Sequence, residues 1–456
     1  MKENLKKGGK IFFQYLVIFI ILIISYMVLM TLSSLIPSET MQNNVKKSSD
    51  MLKAGGEQVI YNLKYKEEQI FTFTDALMIN TAYSIDSKQP IESFLLARKN
   101  YVPGQTKVVY PDRQYNLGAN EKYKNAETGD LYQTEELYGL MHGDNIEDSY
   151  EYARYWHGYL VVLRPLLALF DYNAIRIVLA IITLICVTTM LVLLYKKVNL
   201  ISSVIFLIGL LSVCIWIVTQ SINESLIFLV ALISSIILLL RYKKIKHIGI
   251  FFFIVGSVSS FIDLLTAPIV TLGITAIIYF LLLQQEEKDV KIYIKKLVEV
   301  IITWGLGYGL TWATKWLIVE LCFENRPMIS QVITQVLFRS KIPVRNGVAI
   351  INRWIVVKRN LQFLSMPVIV TIITIGFVLA IALMIKNRNR EIEFKENFKK
   401  CIPYMIIFFL PIIWFVSVTQ HSYTHAFFVY RTLVISIISL LLIIYKMFEG
   451  KKEEKR

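Results

Sequence analysis

The chain has 456 residues, of which 55% are hydrophobic and 18% charged, and its mean hydropathy is +0.53. That apolar share exceeds what a soluble core of this length needs, so the sequence is to be read with the bilayer as solvent. The formal net charge of +15 does not point to nucleic acid, because Lys and Arg cluster at the ends of apolar runs rather than along one polar face. Orientation in the membrane and contact with anionic lipid account for it.

A membrane crossing needs about 20 apolar residues at 1.5 Å of rise each. The runs that approach this are 11–35, 173–195, 200–218, 226–240, 248–265, 268–283, 297–319, 366–385, 402–418 and 426–445. The first is too long for the apolar part of a typical signal peptide, and no A-x-A-like site follows it, so it reads as an uncleaved first span. If Lys2, Lys6, Lys7 and Lys10 are cytoplasmic, alternation puts segments 196–197, 241–246, 286–296, 386–400 and 451–456 on the same side. Each has a basic excess, as the positive-inside rule expects.

Residues 37–157 then fall outside, with 18 acidic against 13 basic side chains, the reverse of the cytoplasmic loops. Such a length exceeds that of a mere connector. Short helices against the membrane and irregular structure are expected here, because the turn signals Pro103-Gly104 and Leu117-Gly118 interrupt it. Residues 159–170 are apolar but too short to span, so they lie in the interface or re-enter. The second long outer segment, 320–365, carries Arg326, Arg339, Lys341, Arg345, Arg353, Lys358 and Arg359 against very few acids. Either the span count is off by one, or these cations face an anionic ligand or a headgroup layer.

The expectation is therefore an all-α polytopic integral membrane protein of about ten transmembrane helices in the cell membrane, with both termini cytoplasmic. Residues 1–36 form the N-terminus and first span, 37–172 the first outer loop, and 173–319 spans two to seven. Residues 320–365 form a second outer loop before the eighth span, and 366–456 the last three spans with a basic tail. The sequence has no fixed-period repeat and no inverted pair of interrupted spans, which weakens a secondary-transporter reading. Cys186, Cys214, Cys322 and Cys401 lie in or beside apolar runs, with neither metal-ligand spacing nor the density of a disulfide scaffold.

Ionisable groups within spans are costly, and here they gather mostly at outer ends. Arg176 opens the second span, Asp263 closes the fifth, Lys315 lies near the outer end of the seventh, and Arg431 sits a turn and a half into the tenth. Glu299, at an inner end, is the exception. Snorkelling explains any single Lys or Arg. A shared outer cavity explains the set more economically.

Three outer strings carry candidate chemistry. In Thr72 to Met78, Asp75 sits among apolar neighbours that can lift its pKa toward base duty, or it caps the helix that follows. The string Arg154-Tyr155-Trp156-His157-Gly158-Tyr159, with Arg164 beyond it, either holds a glycan on its aromatic faces or rides the interface. In His421-Ser422-Tyr423-Thr424-His425, the two histidines share a helix face, yet no Glu lies between them and no third ligand is near. A divalent metal is compatible with that string but not indicated by it. Tyr430 and Arg431 follow, and the Arg431 guanidinium suits a phosphate oxygen.

The layout is an N-in first span, a large outer loop with an Asp, many further spans and a second long outer loop. With the strings Thr74 to Met78, Arg154 to Tyr159, Asp263 to Pro268, Trp304 to Trp316 with Gly307, Tyr308 and Lys315, and His421 to Arg431, it resembles the GT-C superfamily of polytopic glycosyltransferases. The likeness extends over nearly the whole chain in layout. It implies transfer of a sugar from a polyprenyl-phosphate donor to an acceptor outside the membrane, a cell-envelope glycan or a protein. Asp75 is the position matching the superfamily's catalytic base. Arg431, then Lys315 and Arg164, would stabilise the leaving phosphate, while Arg154, His157, Tyr159, Asp263, His421, His425 and Tyr430 would line the substrate. About 40 residues separate the first span from Asp75, farther than the superfamily often has it, so Glu39 and Asp50 stay as alternatives. A flippase or exporter of lipid-linked glycan and a non-catalytic cell-envelope assembly protein are the competing classes.

Overall fold

The computed structural model describes residues 2–55, 58–60, 68–70, 72–101, 133–143, 148–287, 289–341, 344–345, 348–349, 352–388 and 390–450. Pro103-Gly104, Leu117-Gly118 and the tail 451–456 lie outside the described residues. Helices dominate, as expected. Among the described residues, extended structure is confined to three antiparallel pairs, Gln58–Ile60 with Glu68–Ile70, Lys99–Tyr101 with Asp148–Tyr150, and Val344–Arg345 with Val348–Ala349.

The chain opens with α1 (Lys2–Ser34), followed by α2 (Gln42–Gly55), α3 (Thr72–Tyr83), α4 (Pro90–Leu96) and α5 (Gln133–Met141). The apolar run at 159–170 becomes α6 (Leu160–Leu169), whose Leu160, Leu163, Arg164 and Leu167 are buried. Asp171 then starts α7 (Tyr172–Lys197) by accepting the Ala174 N–H at 3.0 Å. The expected span at 200–218 divides at Cys214, φ 56°, into α8 (Leu200–Ser212) and α9 (Ile215–Val218). Ser221 caps α10 (Ile222–Arg241). Next come α11 (Ile248–Ile262), α12 (Ile269–Leu283) and the 33-residue α13 (Val290–Cys322).

The basic segment 320–365 holds α14 (Met328–Ser340) and α15 (Arg353–Leu364), and α16 (Met366–Lys386) follows directly. The expected span at 402–418 starts earlier, as α17 (Phe394–Phe408), and continues beside Pro411 as α18 (Leu410–Ser417). After α19 (Thr419–Thr424) and α20 (Ala426–Val429), α21 (Val434–Met447) ends the described helices.

Among the described residues, six helical stretches are long and apolar enough to cross a membrane: residues 8–34, 172–197, 222–244, 366–386, 394–417 and 426–447. The apolar α8, α11 and α12 have 13 to 15 residues, which at 1.5 Å each fall short of a hydrocarbon core of about 30 Å. The partition of apolar surface fits a bilayer. Phe12 and Ile24 on α1, Ile177 and Leu184 on α7, and Ile373 and Phe377 on α16 are exposed. By contrast, α12 is buried on every side, the mark of a core helix. One apolar core surrounds α12 with α10 and α21, and a second lies among α2 to α6 and the adjoining ends of α1 and α7.

Polar side chains tie the lysine-rich helix ends together. The Gln285 amide donates to the Lys197 carbonyl (2.9 Å), Gln284 to Lys400 (2.7 Å) and Asn397 to Glu449 (2.7 Å). Helices α2 to α6, α14, α15 and α19 gather at the far end of the bundle, where the candidate residues lie.

Candidate functional site

Asp75 stands in the first turn of α3, yet it caps a different helix. Its carboxylate accepts the Tyr172 hydroxyl (2.9 Å), the Ser221 hydroxyl (3.1 Å) and the backbone N–H groups of Ile222 (3.0 Å) and Asn223 (3.2 Å). Those two amides belong to the first turn of α10 and have no carbonyl of their own helix to bond, so a carboxylate completes them and meets the positive end of the helix dipole. Asp75 is fully buried. Burial raises its pKa, against the pull of the four donors.

The first turn of α10 leads on to a second carboxylate. The Asn223 side-chain oxygen accepts the Thr266 hydroxyl at 2.9 Å, and the Thr266 N–H bonds Asp263 Oδ1 at 3.0 Å. Asp263 ends α11 and opens the turn into α12, where Leu265 has φ 70°. It is 3% exposed, and its second oxygen, Oδ2, is buried without a hydrogen-bond partner. Burial pushes its pKa up to about 7, with the Thr266, Leu265 and Leu264 donors working against the rise.

The string 154–159 docks against the same turn. The Gly158 N–H donates to the Phe261 carbonyl at 2.8 Å, and a Cβ at this position would lie 2.5 Å from that oxygen, so only glycine permits the approach. Two α13 indoles, Trp312 and Trp316, donate to the Arg154 carbonyl at 2.7 and 3.0 Å, and Trp156 donates to Thr311 at 2.6 Å. His157 takes φ 56°. Its Nε2 donates to the Tyr152 carbonyl (2.7 Å), which leaves Nδ1 to accept from the Tyr159 hydroxyl (3.1 Å). Burial holds its pKa down at about 3, so it is a neutral structural imidazole at physiological pH. Tyr155, stacked on Trp312, comes within electrostatic reach of Arg339, Arg154 and Asp263. Burial raises the pKa of its phenol, and Arg339 pulls it down.

The Arg339 guanidinium, on α14, bonds His421 Nδ1 at 2.8 Å. Arg cannot accept, so Nδ1 is the acceptor and the proton of the neutral ring sits on Nε2. Burial, then His425 and Arg339, press the His421 pKa well below its usual value. The Leu265 backbone lies against the same imidazole, and the His421 and His425 rings are 4.8 Å apart. Among the described residues no group of three or more His, Cys, Asp or Glu is placed to hold a metal.

The far-end site therefore combines a buried carboxylate with one uncommitted oxygen, two guanidiniums, a phenol and a neutral histidine, contributed by the 263–268 turn, the 154–159 string, α14 and α19. Other expected members have protein partners of their own. Arg164 donates to the carbonyls of Ser33, Ile36 and Ala82. Lys315 donates to Leu95 (2.7 Å) and Phe94 (3.3 Å), completing the end of α4. Arg431 pairs with Glu224 at 2.9 Å. Tyr430 stacks on Phe363, with centroids 6.1 Å apart.

The sequence places Tyr155 in a candidate string, Arg339 in the basic segment 320–365 and Thr266 beside Asp263 without giving any of them an individual role, and it does not single out the linking Asn223. Two signals were present. Ser221-Ile222-Asn223-Glu224 has capping-box spacing at the start of an apolar run, and Asp263-x-x-Thr266 has the spacing at which a carboxylate bonds a later backbone N–H.

Comparison of the chain with protein-family models, curated proteins and solved structures finds no match.

Proposed function

We propose that this chain is a multi-span membrane glycosyltransferase, with both termini cytoplasmic, which moves a sugar from a polyprenyl-phosphate donor to an acceptor at the outer face of the cell membrane. The observation that carries the proposal is Asp263, a buried carboxylate with an unpartnered oxygen, within electrostatic reach of Tyr155, which Arg154 and Arg339 also reach. Its place at the end of the bundle opposite the lysine-rich helix termini agrees with the positive-inside rule.

Such a site supplies the parts that glycosyl transfer requires. The acceptor oxygen forms a bond to the anomeric carbon as the bond from that carbon to the phosphate oxygen breaks. The acceptor proton passes to Asp263 Oδ2, and the lipid phosphate departs with its negative charge facing Arg339 and Arg154. A base with a pKa near neutrality suits the task, since a good share of it is ionised at working pH and it is still basic enough to take a proton. The geometry favours Asp263 over Asp75 as that base, because Asp75 already accepts four donors from the framework. Asp75 then acts as a positioning residue, holding the first turn of α10 and, through Asn223 and Thr266, the turn that carries Asp263.

Purified protein in proteoliposomes, given a radiolabelled polyprenyl-phosphate hexose and cell-envelope acceptors, should form labelled product that depends on the protein. Binding of the donor without product would favour a second reading, a non-catalytic cell-envelope assembly protein. One observation supports that alternative: Arg164, Lys315 and Arg431 direct their donors to acceptors within the chain.

A further inference from the structure

Between Glu324 and Glu391 the sequence contains no acidic residue. Arg339, Lys341, Arg353, Lys358 and Arg359 fall in that interval, on or beside α14 and α15. Both helices also expose apolar surface. On α14, Ile329, Ile333 (55% exposed), Val336 and Leu337 (59%) project outward, while Met328, Val332 and Gln335 are buried. Positions i, i+4, i+7 and i+8 make one continuous stripe along a helix. On α15, Trp354 is 70% exposed.

The connections fix the level of both helices. Five residues separate the end of α13 from α14, and the Ile329 N–H bonds Glu320 Oε2 of α13 at 2.8 Å, folding α14 back on the α13 terminus. Helix α15 ends at Leu364 and α16 begins at Met366, with Ser365 at φ 74° making the sharp turn. Leu317 and Leu321 of α13 and Met366 and Val370 of α16 are themselves exposed. The α14 stripe thus adjoins the apolar belts of the long helices rather than standing out in solution.

We propose that α14 and α15 form an interfacial platform seated on anionic lipid headgroups at the far end of the bundle. The Ile329, Ile333 and Leu337 stripe enters the acyl boundary, Trp354 anchors at headgroup level, and the cations lie on lipid phosphates. Charge decides between occupants. A second copy of the chain meeting this face would bring two uniformly basic surfaces together, whereas an anionic leaflet complements them. This inference does not depend on the transfer reaction. Arg339 gives it a consequence for the site, because the helix that would rest on the lipid also holds the His421 ring.

The test uses the full chain with its four cysteines changed to Ser, checked by thermal unfolding, and single substitutions Ile333→Cys, Leu337→Cys and Thr334→Cys carrying a nitroxide. The protein is reconstituted in nanodiscs of phosphatidylcholine with or without phosphatidylglycerol. Labels at 333 and 337 should be more accessible to oxygen than to a nickel chelate, with the order reversed at 334. The contrast should grow with phosphatidylglycerol and shrink when Lys341, Arg353 and Lys358 are changed to Gln. Three sites equally open to nickel, labels shielded from both reagents as by a second protein, or depths indifferent to phosphatidylglycerol would each overturn the proposal. If the cysteine-free chain fails to fold, the wild type and Trp354→Phe serve instead. Brominated phosphatidylglycerol should quench the wild type more than the variant, and equal quenching overturns the proposal.

Discussion

Asp75 and Asp263 are joined through two side chains: Asn223 donates its backbone N–H to Asp75 and accepts the Thr266 hydroxyl on its side-chain oxygen, while the Thr266 N–H donates to Asp263. One carboxylate is saturated and the other keeps an oxygen to spare. That difference in hydrogen bonding, more than the identity of either residue, separates a frame from a reactive group.

Asp75→Ala should therefore act first on stability. It leaves two hydroxyls and two backbone amides buried without their acceptor, at a cost of about 1 to 3 kcal/mol for each group that finds no substitute. Thermal unfolding in detergent should show a clearly lowered midpoint. An unchanged midpoint would mean that Asp75 does not hold α10.

Arg431 and Glu224 form a pair that is 3% and 13% exposed at its side chains. Removing one partner strands the other charge, so Arg431→Met and Glu224→Gln should each destabilise by about 3 to 5 kcal/mol, and the double variant should recover much of that. Additive losses would show that Arg431 works toward some group other than Glu224.

Lys315→Met keeps the length of the side chain and removes the donor that completes α4. Residues near α4 should then be cleaved faster in limited proteolysis while the helix content of the bundle stays unchanged. Protection equal to wild type would contradict a structural Lys315.

The raised pKa of Asp263 fixes the sign of a pH effect. Between about 4, the ordinary value of an unfolded Asp, and about 7, its value in the folded protein, the native state holds more protons than the unfolded state. Stability should therefore fall as pH rises through that window. Asp263→Asn should flatten the decline. A wild type and variant with parallel stability profiles would contradict the burial of an ionisable Asp263.

The long apolar helices were legible because a crossing imposes length and apolarity locally, as in α1, α7 and α16, whereas the runs expected at 200–218, 248–265 and 268–283 form shorter helices. What the sequence could not disclose was the partner of each polar side chain. Arg164 resembles a phosphate ligand in any reading of isolated residues, yet its acceptors are carbonyls on α1, after α1 and on α3. Asp75 was weighed as a base or as the cap of its own helix, and it caps α10 instead, whose first turn lies 147 positions on. Asp263 stands out in the sequence by its cost in an apolar setting, and the structure buries it to 3% exposure.

The most direct test of the central claim is the pH dependence of donor-dependent transfer by Asp263→Asn beside the wild type, each normalised to folded protein. The expected result is a wild-type rate that rises with pH through about 7 and a variant slower by about 100- to 10,000-fold that has lost this step. A variant that transfers at the wild-type rate with the same pH profile would contradict the account.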